Sequence, residues 1–265
     1  MNQTTIVTSY YKLNNSKHSL KNYVQWMKNF FMIKTPKIIF TNLETYNLYF
    51  RYNLDLKNRN DIHFYILEWN RFNTWKYIDI FKKHYSIDPE KEIHNIYLYL
   101  LWNEKTSFME KSIKLNKFNS NYFVYCDIGC FRINSLMNYY NNWPNIEVLN
   151  NIGSNKVTIL NIEKFTETDL IIDDNTKLPP SFQNKDRIGG GIICCHKDIF
   201  YEWYNKYYQV LEQFIKINRF IGKDQSIMAS VYILNPELIN LVTPKTSEYC
   251  QDDWFYLEPY LQGLI

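Results

Sequence analysis

Short β-branched and aromatic runs alternate along this chain with longer stretches whose apolar residues recur every three or four positions. That alternation restricts the fold more than any other feature, because it demands strands joined by helical crossovers and hence a largely parallel sheet. "TTIVTSYY" opens as a strand, and "HSLKNYVQWMKNFFMI" follows with Leu20, Tyr23, Met27 and Phe30 on one helical face and Ser16 or Ser19 placed to cap it. Pro36 breaks the pattern before "KIIFTN", a second buried strand, and "IHFYILE" reads as a third. "NTWKYIDIFKKHY" returns to helical spacing through Trp75, Ile78 and Phe81. Residues 92–116 read as mostly helical with an interruption near 102–105, and they deliver the chain to "NYFVYCDIGCFR". Residues 141–182 read as strands and loops whose order is not set. Beyond them "RIGGGIICC" is a strand with a glycine run at its head. "KDIFYEWYNKYYQVLEQFIKIN" is the clearest helix, striped by Phe200, Trp203, Tyr207 and Leu211. A shorter helix begins near "GKDQSIMASVYI", and "NLVTP" is the last strand. With no internal repeat and no low-complexity linker, residues 1–265 are expected to form one domain.

Three places could carry chemistry. In "YFVYCDIG" a buried strand runs straight into Asp127, with Gly129 two places on. Ligands of open α/β sheets bind beyond the carboxyl ends of strands, where a carboxylate can hold a divalent cation and a glycine admits close approach. An aspartate that caps its own turn would also fit. In "RIGGGI" three consecutive glycines weaken a strand unless something must approach the backbone, and Arg187 beside them offers a planar fork for phosphate. A tight bend between strand and helix is the plainer reading, and the spacing fits neither a dinucleotide fingerprint nor a P-loop. In "GKDQ" Asp224 falls in the first turn of a helix, where the dipole alone favours an acid and a general base is the functional alternative.

Composition excludes several classes. A formal charge of +3 with interleaved signs gives no duplex-binding face, so nucleic acid is not an expected partner. No apolar stretch is long enough to span a bilayer and no signal peptide opens the chain, so a cytoplasmic location is expected. Cys126, Cys130, Cys194, Cys195 and Cys250 are expected as reduced thiols. The five histidines show no metal-ligand spacing, and no nucleophile elbow is present. The 23 tyrosines suit either core edges or a sugar-stacking surface, although an AT-rich coding sequence would also supply them.

In order, "TTIVTSYY", a Trp-containing helix, "KIIF", "WNEKTSFMEKSIKLN", "YFVYCDIGCFR", "GGGIICC" and "GKDQSIMA" resemble the HtrL/YibB-like (WlaTC/HtrL) proteins over nearly the whole chain. The resemblance implies a Rossmann-type α/β domain of the GT-A glycosyltransferase kind, with a largely parallel central sheet flanked by helices. It further implies a nucleotide-sugar donor, expected to be a UDP-sugar, a glycan acceptor, and Mn²⁺ or Mg²⁺ bound at Asp127. Thr8, Ser9 and Tyr10 would lie beside the base, and Asp127 and Gly129 beside the diphosphate. Gly189, Gly190 and Gly191 would line the donor sugar, Lys105 and Arg187 would meet the phosphates, and Asp224, with Gln225 beside it, would act as base. A homo-oligomer is left open. The chain departs from the GT-A pattern at D-x-D, which here is Asp127-Ile128-Gly129, and it has no late histidine to complete a metal site. Asp252 or Asp253 could stand in. The other reading is a degenerate domain that binds a nucleotide sugar or glycan without turnover.

Overall fold

The computed structural model describes residues 4–13, 15–51 and 53–265. Its strands are β1 (Thr4–Ser9), β2 (Lys37–Thr41), β3 (Ile62–Ile66), β4 (Tyr122–Cys126), β5 (Val157–Asn161), β6 (Ile188–His196) and β7 (Ile239–Val242). They form one sheet in the order β3-β2-β1-β4-β6-β5-β7. β6 pairs antiparallel with both neighbours, and the other pairings are parallel, so one strand of the seven is reversed. The expected largely parallel sheet is what forms.

The helices are α1 (Leu20–Met32), short turns α2 (Leu43–Thr45) and α3 (Leu54–Lys57), then α4 (Ile78–Tyr85), α5 (Ile96–Leu115), α6 (Ile146–Ile152), α7 (Lys197–Lys216), α8 (Asp224–Leu234) and α9 (Leu257–Gln262). Both faces of the central strands are covered, which is why those strands are apolar at nearly every position instead of at every second one. In β4, Phe123 and Tyr125 join one core with Phe108 of α5, Trp203 of α7 and Ile227 of α8. Tyr122, Val124 and Cys126 join the other, with Phe30 of α1 and Leu149 of α6. No helix among the described residues is long and apolar enough to cross a membrane.

Four local expectations need correction. Helix α5 runs through 102–105 without a break, because Asn103, Glu104 and Lys105 all find buried partners. Residues 141–182 contain α6 as well as β5. Leu20 is half exposed at the start of α1, whose inward side chains are Met27, Asn29 and Phe30. The three glycines lie within β6 and make no bend. Ser19, by contrast, caps α1 as expected, accepting from the Asn22 amide.

Candidate functional site

Parallel strands β1 and β4 end side by side, and the cleft opens beyond their carboxyl ends. The Asp127 amide donates to Gly191 O at 2.8 Å, carrying the β4–β6 ladder one step past the strand. Asp127 is therefore set by sheet register against the glycine run. Its side chain is 45% exposed and faces a cleft of about 790 Å³. The Tyr125 hydroxyl donates to Asp127 Oδ1 at 3.0 Å, and the Ser9 hydroxyl lies 3.0 Å from that of Tyr125. Burial, reinforced by the Asp127 charge, pushes the Tyr125 phenol well up, so it stays a proton donor to the carboxylate.

Across the cleft floor, α8 begins at Asp224. Its Oδ1 accepts from the Gln225 amide at 3.0 Å, and the Gln225 side chain donates to Ile188 O at 2.6 Å. Between the acids stands Lys105 of α5, 5% exposed. Its ammonium donates to Gly190 O at 2.7 Å and lies 3.2 Å from Asp224 Oδ2 and 3.7 Å from Asp127 Oδ2. The carbonyl contact is a hydrogen bond, and the two carboxylates flank the ammonium at ion-pair distance. Burial opposes the charge on Lys105, but Asp127 and then Asp224 outweigh it and hold its pKa above the ordinary value. Burial pushes the Asp224 pKa up, with Lys105 opposing and Asp127 adding to the rise. The result is a buried cation shared by one accessible and one inaccessible carboxylate.

Gly190 and Gly191 form the floor, and of the two Gly190 is the crowded position. A Cβ at Gly190 would lie 3.1 Å from both Asp224 Oδ2 and the Met228 methyl, whereas at Gly191 the nearest atom would be Asp127 Oδ2 at 3.6 Å.

The cleft thus brings together Ser9, Tyr10, Lys105, Asp127, Gly129, Gly190, Gly191, Asp224 and Gln225. Three expected residues lie elsewhere. Thr8 is fully buried in β1, its hydroxyl without a hydrogen-bond partner. Gly189 turns toward β5, where an added Cβ would come within 2.9 Å of Leu160. Arg187 sits just before β6, with Nη1 2.9 Å from Glu163 and Nε 2.9 Å from Asp169. Two carboxylates hold its fork there, and it does not line the cleft. The arginine that does line the cleft is Arg132. Its guanidinium lies 4.1 Å from the Trp26 ring centre and 4.4 Å from that of Phe255, and its Nε donates to Gly129 O at 3.0 Å. Sequence reasoning passed over Arg132, and the one signal available was its place five residues after Asp127, in the turn that leaves the strand.

For a cation, Asp127 offers a single protein carboxylate, since residue 129 is glycine and the Asp224 carboxylate lies across Lys105. Asp252 also lines the cleft. The one group of three or more metal-competent side chains converging among the described residues is Asp88, Glu90 and His94, with ligand atoms within 4.8 Å of one another. Histidine spacing alone pointed to no metal group, because two of these ligands are acids brought in by the loop before α5. This group could hold a divalent cation, and several of its atoms already have protein partners. Asp88 takes the Tyr99 hydroxyl and His94 Nδ1, and Glu90 is paired with Lys223.

The family model described as "Bacterial protein of unknown function (HtrL_YibB)" matches residues 2–258. Comparison with curated proteins gives no match. Among solved structures, 4-diphosphocytidyl-2C-methyl-D-erythritol synthase from Anaerococcus prevotii is similar over 98% of each chain, at 13% identity and a TM-score of 0.42.

Proposed function

This chain belongs to the HtrL_YibB family, and we propose that it is a GT-A-type glycosyltransferase moving a sugar from a nucleoside diphosphate sugar, a UDP-sugar foremost, to a hydroxyl of a glycan. The observation that carries the reading is the pair Asp127 and Asp224, held on either side of buried Lys105 above a glycine floor. One acid faces the open cleft, where a donor diphosphate can reach it. The other sits deeper, at a helix start, where an acceptor hydroxyl would approach.

In the reaction the acceptor oxygen forms a bond to the anomeric carbon as the bond to the diphosphate oxygen breaks. The hydroxyl proton passes to Asp224. A carboxylate whose pKa is raised by burial is a better base than an ordinary one. Base attack of this kind inverts the anomeric carbon. Negative charge grows on the leaving diphosphate, and Arg132, clamped between two rings, is the cleft cation with guanidinium chemistry to meet it. Lys105, anchored on Gly190 O and flanked by both carboxylates, sets the spacing of the two acids. Tyr10, packed against Tyr23 and Tyr49, provides an aromatic wall for the base.

Mn²⁺ or Mg²⁺ would have Asp127 as its protein ligand and complete its shell from the diphosphate, which suits a cation that keeps few protein ligands. Bound there, it would supply further positive charge against the leaving group.

A second reading has an observation of its own. The Asp224 side chain is 4% exposed and ion-paired, which suits a domain that binds a nucleotide sugar without turning it over. Thermal unfolding with UDP, GDP, TDP and CMP, each with and without Mn²⁺, tests the donor site. Saturating ligand should add roughly 2.7 kcal/mol at about 100 times Kd, and Asp127→Asn should remove that gain. A UDP effect followed by UDP-sugar turnover that Asp224→Asn abolishes supports the enzyme. A UDP effect with no turnover supports the binder, and no nucleotide effect at all rejects both.

A further inference from the structure

The stretch of cleft away from Asp224 takes no part in the chemistry above, yet it holds an orientation network of its own. His94 lines the cleft just ahead of Asn95, the N-cap of α5. Its Nδ1 lies 2.8 Å from Oδ2 of Asp88, a residue only 3% exposed. The same carboxylate takes the Tyr99 hydroxyl on Oδ2 and the Glu90 amide on Oδ1 at 2.9 Å. Burial works against the Asp88 charge, but these donors outweigh it and hold the carboxyl below its ordinary pKa. In the neutral imidazole that pairing puts the proton on Nδ1 and leaves the Nε2 lone pair for another partner. No hydrogen bond engages Nε2 among the described residues, and it is not among the buried polar atoms left without a partner. A buried acid with three donors thus holds His94, itself only 8% exposed, in one orientation at the cleft wall.

The surroundings identify the chemistry of that partner. Trp102 stands edge-on to the His94 ring at 5.0 Å. Leu98, Leu101, Trp102 and Lys105 all line the cleft, and Leu101 and Trp102 each lie three or four residues from both Leu98 and Lys105, so a single stripe of α5 carries the cleft from His94 to the transfer centre. Ten residues separate Asn95 from Lys105, roughly 15 Å of helix, a span longer than one hexose ring. On the facing side Lys223, the residue before Asp224, is ion-paired with Glu90 and joins this wall to the start of α8. An indole, a fixed imidazole acceptor and an ion pair around one hollow match the alternation of apolar ring faces and hydroxyls on a saccharide.

We propose that this end of the cleft is a second-ring acceptor subsite, so that the acceptor is an oligosaccharide of at least two rings and His94 Nε2 accepts a hydrogen bond from a hydroxyl of the ring distal to the one glycosylated. Which ring reacts rests on the glycosyltransferase reading; the binding of the saccharide does not.

The test titrates maltose, cellobiose, lactose, chitobiose and mannobiose, with their constituent monosaccharides, into the full chain by calorimetry. At least one disaccharide should bind about tenfold more tightly than its monosaccharide. His94→Gln should erase that gain, and Asp88→Asn, which loosens the imidazole without removing it, should lose part of it. Unliganded melting temperatures within a few degrees of the parent's show that the variants are folded, and Trp102→Phe supplies an independent variant of the same wall if they are not. Equal binding of mono- and disaccharides, or a gain that survives His94→Gln, overturns the subsite. So does Mn²⁺ stabilisation, without saccharide, that His94→Gln abolishes, since the cluster would then be a cation site. A length-dependent gain in a protein that no nucleotide stabilises leaves the subsite standing and rejects the transferase. Nucleotide stabilisation without any length-dependent gain does the reverse.

Discussion

Lys105 determines how two acids can share one site. Alone, Asp224 would be a buried, uncompensated charge, because only the Gln225 amide and the ammonium oppose its burial. Removing one partner of a buried ion pair costs about 3–5 kcal/mol, mainly through the charge left behind. Lys105→Met should therefore destabilise the chain strongly in urea unfolding, and adding Asp224→Asn should recover a large part of the loss. A Lys105→Met cost that is the same in both backgrounds would show that the two residues are not coupled. The sequence displayed each of these residues but not their relation. Lys105 and Asp224 stand more than a hundred positions apart, and neither sits in a motif that requires the other. Arg187 shows the converse: next to a glycine run it has the composition of a phosphate ligand, yet Glu163 and Asp169 claim it.

At the level of elements, β6 is the strand that makes the site. Its three glycines look equivalent in sequence, but alternation along the strand and the register with β4 and β5 give each a different neighbour. A methyl at Gly189 would meet Leu160 at 2.9 Å, one at Gly190 would press on Asp224 and Met228 at 3.1 Å, and one at Gly191 would rest 3.6 Å from Asp127. Crowding a packed site costs typically about 1–3 kcal/mol. Gly189→Ala should lower stability and leave nucleotide binding intact. Gly190→Ala should lower stability and displace Asp224, with a larger loss in turnover than in donor affinity. Gly191→Ala should be the mildest in urea unfolding. Equal effects of all three on nucleotide-induced stabilisation would contradict this assignment. Existence and type of β1, β2, β3, β4, β6, α1, α7 and α8 were legible because each is a periodic run. The continuity of α5 was not, since its Asn103, Glu104 and Lys105 read as polar punctuation until Tyr207, Thr74 and Asp224 come into place as partners.

For the whole molecule, pH dependence reports on a second buried acid. Burial pushes Glu258 up to about 8 from 4.5, with Arg132 opposing and Asp252 adding to the rise. The folded chain therefore holds a proton that the unfolded chain releases between these two values. Its contribution to stability is complete below about 4.5 and is lost as pH rises toward about 8. A tenfold change in an acid's ionisation constant corresponds to about 1.4 kcal/mol, so a few kcal/mol are at stake. Glu258→Gln, which keeps the neutral shape, should flatten the fall in melting temperature across that window relative to the parent chain. An unchanged profile would mean that Glu258 ionises freely in the folded state.

What the sequence by itself determined was the alternation of strands and helices, the mostly parallel sheet it entails, and the presence of an acid at the end of β4. These follow from local spacing, which is a property of neighbours along the chain. What only the tertiary structure decided was which charges face one another. Asp127 proved to be part of a paired-acid site because β6 lies beside β4 and because α5 and α8 converge above them. His94 gained its orientation from Asp88 and Tyr99 in the same way. Burial and electrostatics depend on distance in space, and the strand order that sets those distances leaves no periodic mark on the sequence.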